Sequence, residues 1–223
     1  MCDPLICGLD EAGRGPVFGP MILCGICFRK SKLHYLIEND VKDSKRVSPK
    51  RRAKLSKLLK QNCHSFKSIE LTPQEIDQRK EKNISLNQLE LIKFVEIVNE
   101  LKPEHIFIDA ADIDEIRFGN NLKTKLKYNP EKIISKHKAD DIYPIVGAAS
   151  IIAKVERDEI IEKLKEKYGN IGSGYPSDER TIRFLREWIR EKRSPPIFAR
   201  LTWKTTKFIL DTEINNKKIT QYF

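Results

Sequence analysis

Short apolar runs that stop at a carboxylate recur along the chain. Leu5-Ile6-Cys7 leads into Asp10 and Glu11, and Met21–Phe28 returns after a Gly-Arg-Gly turn closed by Pro16. This pattern predicts a strand, a tight turn and a returning strand. Ser65–Leu71 alternates and predicts another strand. His105-Ile-Phe-Ile108 is continuously apolar, as in a buried strand, and ends at Asp109. Lys132–Lys136 is strand-like and is trailed by Asp140 and Asp141.

Helical periods fill the intervals. Ser48-Pro49 reads as a cap and first-turn proline, followed by Lys50, Arg51 and Arg52. Those cations oppose the helix dipole, which fits either a solvated cluster or a phosphate-binding helix start. Ser85 and Gln88 form a capping-box pattern opening a helix with Leu91, Val95 and Val98 on one face, ending near Lys102-Pro103. A long helix is predicted from Tyr143-Pro144 to about Lys167, stopped by Gly169. Another spans Asp178 to Lys192 with Phe184, Leu185 and Trp188 inward, and after Pro195-Pro196 a last one runs from about Thr202 to Glu213. Strands alternating with helices predict an α/β sheet, mixed because its first two strands are joined by a short turn.

Acids at the ends of three separated strands predict one carboxylate cluster at one edge of that sheet. Burying such acids is costly unless something cationic meets them. A tight cluster repels itself and needs metal ions or protons at neutral pH. Its hard oxygen donors favour Mg²⁺ or Mn²⁺ over zinc.

Composition narrows the partner. The 223 residues carry 42 Lys and Arg against 32 Asp and Glu, a net charge of +10 that suits a polyanion such as nucleic acid. Five cysteines are no disulfide framework. Cys24-Gly-Ile-Cys27 lies inside an apolar run with no second pair to complete a zinc site, so both are expected in the core of a protein from a reducing compartment. No segment reads as a signal peptide or bilayer span, so a soluble, cytoplasmic protein without a membrane partner is expected.

The string Gly8-Leu-Asp-Glu-Ala-Gly-Arg-Gly-Pro16 resembles the opening motif of the ribonuclease HII family. Asp43-Ser-Lys45, Ile108–Asp112, Lys136–Asp140, Tyr143–Asp158 and Gly172–Asp178 match further family segments in the family's order and cover nearly the whole chain. The resemblance implies a ribonuclease H-like mixed sheet flanked by helices, with a C-terminal helical extension. Its domains would be a catalytic region over residues 1–170, a helical substrate-binding region over 171–213 and a flexible tail over 214–223. It implies an endonuclease that cuts the RNA strand of RNA–DNA hybrids and cuts 5′ to single ribonucleotides in duplex DNA. The family's metal-binding acids match Asp10, Glu11, Asp109 and Asp140, with Asp141, Asp112 and Asp158 as neighbouring candidates for the last.

Gly13, Arg14 and Gly15 match the turn that approaches the ribonucleotide, Lys45 a phosphate contact, and Tyr175 the tyrosine that stacks at the RNA–DNA junction. His137, Lys154 and Arg157 stand near these motifs, with structural or phosphate-supporting roles both open. The end of the chain, with Asn216, Ile219, Tyr222 and Phe223, is similar to the sliding-clamp-binding box of archaeal members, Asn216 replacing the usual glutamine. A monomer is expected. The alternatives are a ribonuclease HIII-like hybrid nuclease and a non-catalytic nucleic-acid or clamp adaptor.

Overall fold

The computed structural model describes residues 3–41 and 48–219, with side chains through Ile214. Lys45, Tyr222 and Phe223 lie outside the described residues, as do the side chains of Asn216 and Ile219. Five strands, β1 (Leu5–Ala12), β2 (Met21–Arg29), β3 (Ser65–Leu71), β4 (His105–Asp109) and β5 (Lys132–Lys136), form one sheet in the order β3-β2-β1-β4-β5. β1 runs antiparallel to β2 and parallel to β4, and β4 runs parallel to β5. The described helices are α1 (His34–Glu38), α2 (Pro49–Asn62), α3 (Pro73–Gln78), α4 (Leu86–Leu101), α5 (Glu115–Lys125), α6 (Ala139–Ile142), α7 (Pro144–Tyr168), α8 (Glu179–Lys192) and α9 (Lys204–Ile219). The mixed α/β sheet expected from the pattern is the one observed.

The local signals act as predicted. Ser48 accepts from the Arg51 N–H to start α2, and Ser85 and Gln88 exchange both bonds of a capping box at α4. Asp178 caps α8 through the Arg180 N–H. Cys24 and Cys27 are buried free thiols inside β2. Two expectations need correction, and α1, α3 and α5 were not expected. α5 goes unannounced, because Gly119-Asn-Asn121 lowers its helix propensity while burial of Phe118 and Leu122 restores it. Asp140 sits on the short helix α6 and not at a strand end, after Lys138 turns the chain through a left-handed φ of 55°. The last helix continues to Ile219, since no proline or glycine halts its propagation into the segment expected to be a flexible tail.

The chain forms two compact units made of interleaved segments. One contains Gly13–Met21, Leu71–Asn83 and everything from Arg157 onward, and the other contains the remainder. The consecutive boundaries at 170 and 213 therefore do not coincide with the compact units. The physical reason lies in hydrogen bonding within the second unit. Val17 and Phe18 donate backbone N–H groups to the Gly174 carbonyl, and Phe18 bridges Ala199. The Asp77 carboxylate takes the N–H groups of Leu201 and Thr202. Val17, Phe18, Ile171, Leu185, Ile189, Phe198 and Ile209 make the core of this unit, and Phe18 meets Phe198 edge-on at 5.2 Å between centroids.

In the first unit, β1 and β2 are buried along almost their whole length. The opening turns of α7 bury residues on every side, including Ile145, Val146, Ala148, Ala149, Ile151 and Ile152. They reach the sheet by close approach at Gly8, where an added Cβ would sit inside the Ile145 carbonyl and 2.7 Å from the Val146 nitrogen. Both obstacles are backbone, so neither can swing aside. Gly8→Ala is expected to destabilise the protein by roughly 1–3 kcal/mol, the usual cost of overpacking a filled core. Urea unfolding of the variant checks this, and an unchanged midpoint would show that α7 yields freely.

Candidate active site

The parallel register of β1 and β4 pairs Leu9 with Ile108, so the next residue of each strand is an aspartate, Asp10 and Asp109. Carboxyl ends of parallel strands are where open α/β sheets place their chemistry. β5 continues alongside with Asp109 opposite Lys136, and its exit through α6 supplies Asp140. Among the described residues, Asp10, Asp109 and Asp140 each bring one carboxylate oxygen within 4.8 Å of the other two. Asp10 is 5% and Asp140 4% exposed, while Asp109 is half-buried.

Burial first, and then the Glu11 charge, push the Asp10 carboxyl well above its ordinary range, with Asp109 and Asp140 adding to the push. The Ser150 side chain beside the carboxyl opposes them. Asp10 Oδ1 also accepts the Glu11 N–H at 2.8 Å. Ser150 had no signature in the sequence. It comes from the Gly-Ala-Ala-Ser run of α7.

The other acids separate from this trio. Glu11 follows Asp10 on a strand, where successive side chains alternate faces, and it stands outside the group of three. Asp112 forms an ion pair with Arg117 at 2.6 Å, and Asp158 lies 3.9 Å from Arg157. Asp141 is exposed. His137 bonds the Ile113 carbonyl and the Glu115 carboxylate, so it braces the loop after β4.

The second unit gathers the remaining candidates. Gly13 has a φ of 88°, and its missing Cβ leaves room for Arg157, whose Cδ would otherwise be 2.6 Å away. Arg157 is buried. Its guanidinium stacks 4.9 Å from the Tyr175 ring centre and donates to the Ser173 carbonyl at 3.1 Å. Tyr175 stays 38% exposed, its ring edge 3.9 Å from where a Gly15 Cβ would project. The Gly13–Gly15 turn and the Tyr175 loop, distant in sequence, thus share one neighbourhood. Arg200 and Trp203 are bound to the same turn, and nothing in the sequence pointed to them.

The family model for Ribonuclease HII matches residues 7–206. The chain belongs to the ribonuclease HII family. The Ribonuclease HII of Thermococcus onnurineus is 48% identical over 206 residues, 92% of this chain and 89% of the relative. The crystal structure of ribonuclease H2 from Pyrococcus horikoshii is 43% identical with a TM-score of 0.89, covering 95% of this chain and 100% of the other. A structure of the PCNA:RNase HII complex from Archaeoglobus fulgidus is 38% identical with a TM-score of 0.83, covering 92% and 96%. As a member of this family, the protein is a ribonuclease H, a nuclease acting on RNA–DNA hybrids, built on the ribonuclease H-like fold. No described helix is long and apolar enough to cross a membrane.

An all-oxygen trio suits a hard divalent ion. Opposite ligands of one Mg²⁺ stand about 4.2 Å apart, twice its usual bond length, so a spread of 4.8 Å needs little closure. Neutralising one member removes both repulsion and a ligand. Asp10→Asn is therefore expected to raise metal-free stability by roughly 0.5–2 kcal/mol and to lose the stabilisation by Mg²⁺ or Mn²⁺. Thermal melts in chelator and in metal check both effects, and a lower metal-free melting point would contradict the repulsion.

Proposed function

We propose that the enzyme cuts the RNA strand of hybrids, and 5′ to single ribonucleotides in duplex DNA, by two-metal-ion hydrolysis that leaves 5′-phosphate and 3′-hydroxyl ends. The observation that carries this reading is the convergence of Asp10, Asp109 and Asp140, drawn from β1, β4 and α6, to within 4.8 Å. In the proposal Glu11 completes the ligand set from the neighbouring strand position. Bound Mg²⁺ or Mn²⁺ would activate a water and stabilise the leaving oxygen of an in-line displacement.

The chain's own residues supply the rest. Only three positions separate Asp10 from Gly13, so β1 passes directly from the acids into the Gly13-Arg14-Gly15 turn. Backbone at that turn is suited to reading the 2′-hydroxyl, the group that separates RNA from DNA. Tyr175 offers a ring face held by Arg157 for stacking on the sugar or base at the junction. The surplus of ten positive charges holds flanking phosphates, with Lys45 assigned to one of them. The chain end with Ile219, Tyr222 and Phe223 is proposed to bind a sliding clamp, as the Archaeoglobus relative binds PCNA. Cytoplasmic ribonucleotide repair and replication are the settings we assign to it.

Cleavage of a labelled DNA duplex with one ribonucleotide, beside an all-RNA strand opposite DNA, tests the specificity in Mg²⁺ and in Mn²⁺. One cut 5′ to the lone ribonucleotide is expected, with Asp10→Asn lowering turnover by at least about 10³-fold while hybrid binding persists. Cutting of the long hybrid alone would indicate the ribonuclease HIII-like reading, and tight binding without cutting the adaptor. Tyr175→Ala is expected to reduce cleavage at junctions by on the order of 10–100-fold and on uniform hybrids by less, given typical base-stacking energies. Equal losses on both substrates in steady-state assays would refute the stacking role.

A further inference from the structure

Arg200 is fully buried, at 0% exposure, in the segment between α8 and α9. Its guanidinium is spent on the carbonyls of one distant loop. Nη2 donates to Gly13 O at 2.6 Å and to Gly19 O at 3.0 Å, Nη1 to Arg14 O at 2.9 Å, and Nε to Gly19 O at 3.1 Å. Its own backbone N–H donates to the Val17 carbonyl at 2.9 Å. Trp203 stacks 4.9 Å from the same guanidinium and sends its indole N–H to Gly15 O at 3.3 Å.

These bonds determine more than the loop's position. All peptides here are trans. In a planar trans peptide the carbonyl of one residue and the N–H of the next point in opposite directions. Drawing the Gly13 and Arg14 carbonyls toward Arg200 therefore turns the N–H groups of Arg14 and Gly15 the other way, away from the guanidinium. The carbonyls of Gly15 and Gly19 precede Pro16 and Pro20, which have no N–H to turn, and the N–H that follows the Val17 carbonyl, that of Phe18, donates to Gly174. Two successive amides facing one way form the concavity that binds anionic or hydroxyl oxygens.

The choice of residue fits this purpose. Lysine offers one nitrogen and could not span three carbonyls, whereas the guanidinium fork holds its donors in fixed directions. Among the described residues, Arg200 donates to carbonyls and to no carboxylate. Burial, then the nearby Arg157 charge, push its guanidinium down to about 9, so it remains cationic at neutral pH. A neutral tether would avoid that desolvation. A cation beneath the turn adds a field that favours oxygen ligands on the outer side.

We propose that Arg200 is a positioning residue for ribonucleotide recognition, which orients the Arg14 and Gly15 amides by gathering the carbonyls behind them. This rests on the reading of the Gly13–Gly15 turn given above. The test measures binding of two duplexes of the same sequence, one all-DNA and one with a single ribonucleotide, by full-length protein carrying Asp10→Asn to block cleavage. Arg200→Lys added to that parent keeps the charge and removes the fork. The parent should prefer the ribonucleotide duplex, and Arg200→Lys should shrink that preference by at least about tenfold, the equivalent of one or two lost hydrogen bonds. Affinity for the all-DNA duplex should change little.

A structural role alone would weaken both duplexes alike and leave their ratio intact, and that result would overturn the proposal. A parent that binds both duplexes equally would sink the reading of the turn itself, and this proposal with it. Should Arg200→Lys fail to fold, Arg200→Gln decides. It replaces the fork with one amide group and releases at least one of the Gly13 and Arg14 carbonyls, and a roughly two- to tenfold fall in the ratio supports the proposal while an unchanged ratio refutes it.

Discussion

Mutual repulsion of buried carboxylates is the constraint on which the first unit of this enzyme depends. Left alone, such groups would protonate or move apart. Here they cannot move apart, because each acid is committed to a different rigid element, and the Asp10 carboxyl is instead pushed well above its ordinary range. Asp10 and Asp109 follow paired residues of adjacent parallel strands, and Asp140 belongs to a helical turn that leads directly into α7. α7 is clamped onto β1 where Gly8 lets backbone meet backbone. The packing that stabilises the unit also holds its acids in opposition, an arrangement that suits a hard divalent ion.

The second unit resolves a different problem, the ordering of a glycine-rich turn that has few side chains of its own. Its carbonyls are held by one buried guanidinium and an indole, and a second buried guanidinium packs against it. Arg157 fills the space that Gly13 vacates and stacks on Tyr175, while Arg200 and Trp203 take the carbonyls. Aromatic packing of Phe18, Phe184 and Phe198 fixes the ends of the turn. A flexible backbone is thus held in one arrangement, at the cost of burying two guanidinium groups.

In the proposed reading, the net positive charge and the acidic trio address different parts of one polyanion. Lysines and arginines would supply affinity that falls with salt, whereas the trio would attract phosphate only through a bound cation. Membership of the ribonuclease HII family accounts for both features at once.

The sequence by itself determined the strands, the long helix α7, the caps of α2, α4 and α8, and the identity of the acids. Each of these is written in local chemistry: apolar runs, side-chain oxygens at helix starts, prolines and glycines at stops. α5 was not legible because its Gly-Asn-Asn segment is a poor helix former, and the packing of Phe118 and Leu122 supplies what propensity lacks. Tertiary structure alone decided that Asp140 joins Asp10 and Asp109 while Asp112 turns to Arg117. It also brought Ser150 to Asp10 and placed Arg200 beneath a turn 187 residues away from its Gly13 partner. An isolated serine or arginine carries no periodicity and no capping pattern, so its role exists only once the chain has closed on itself.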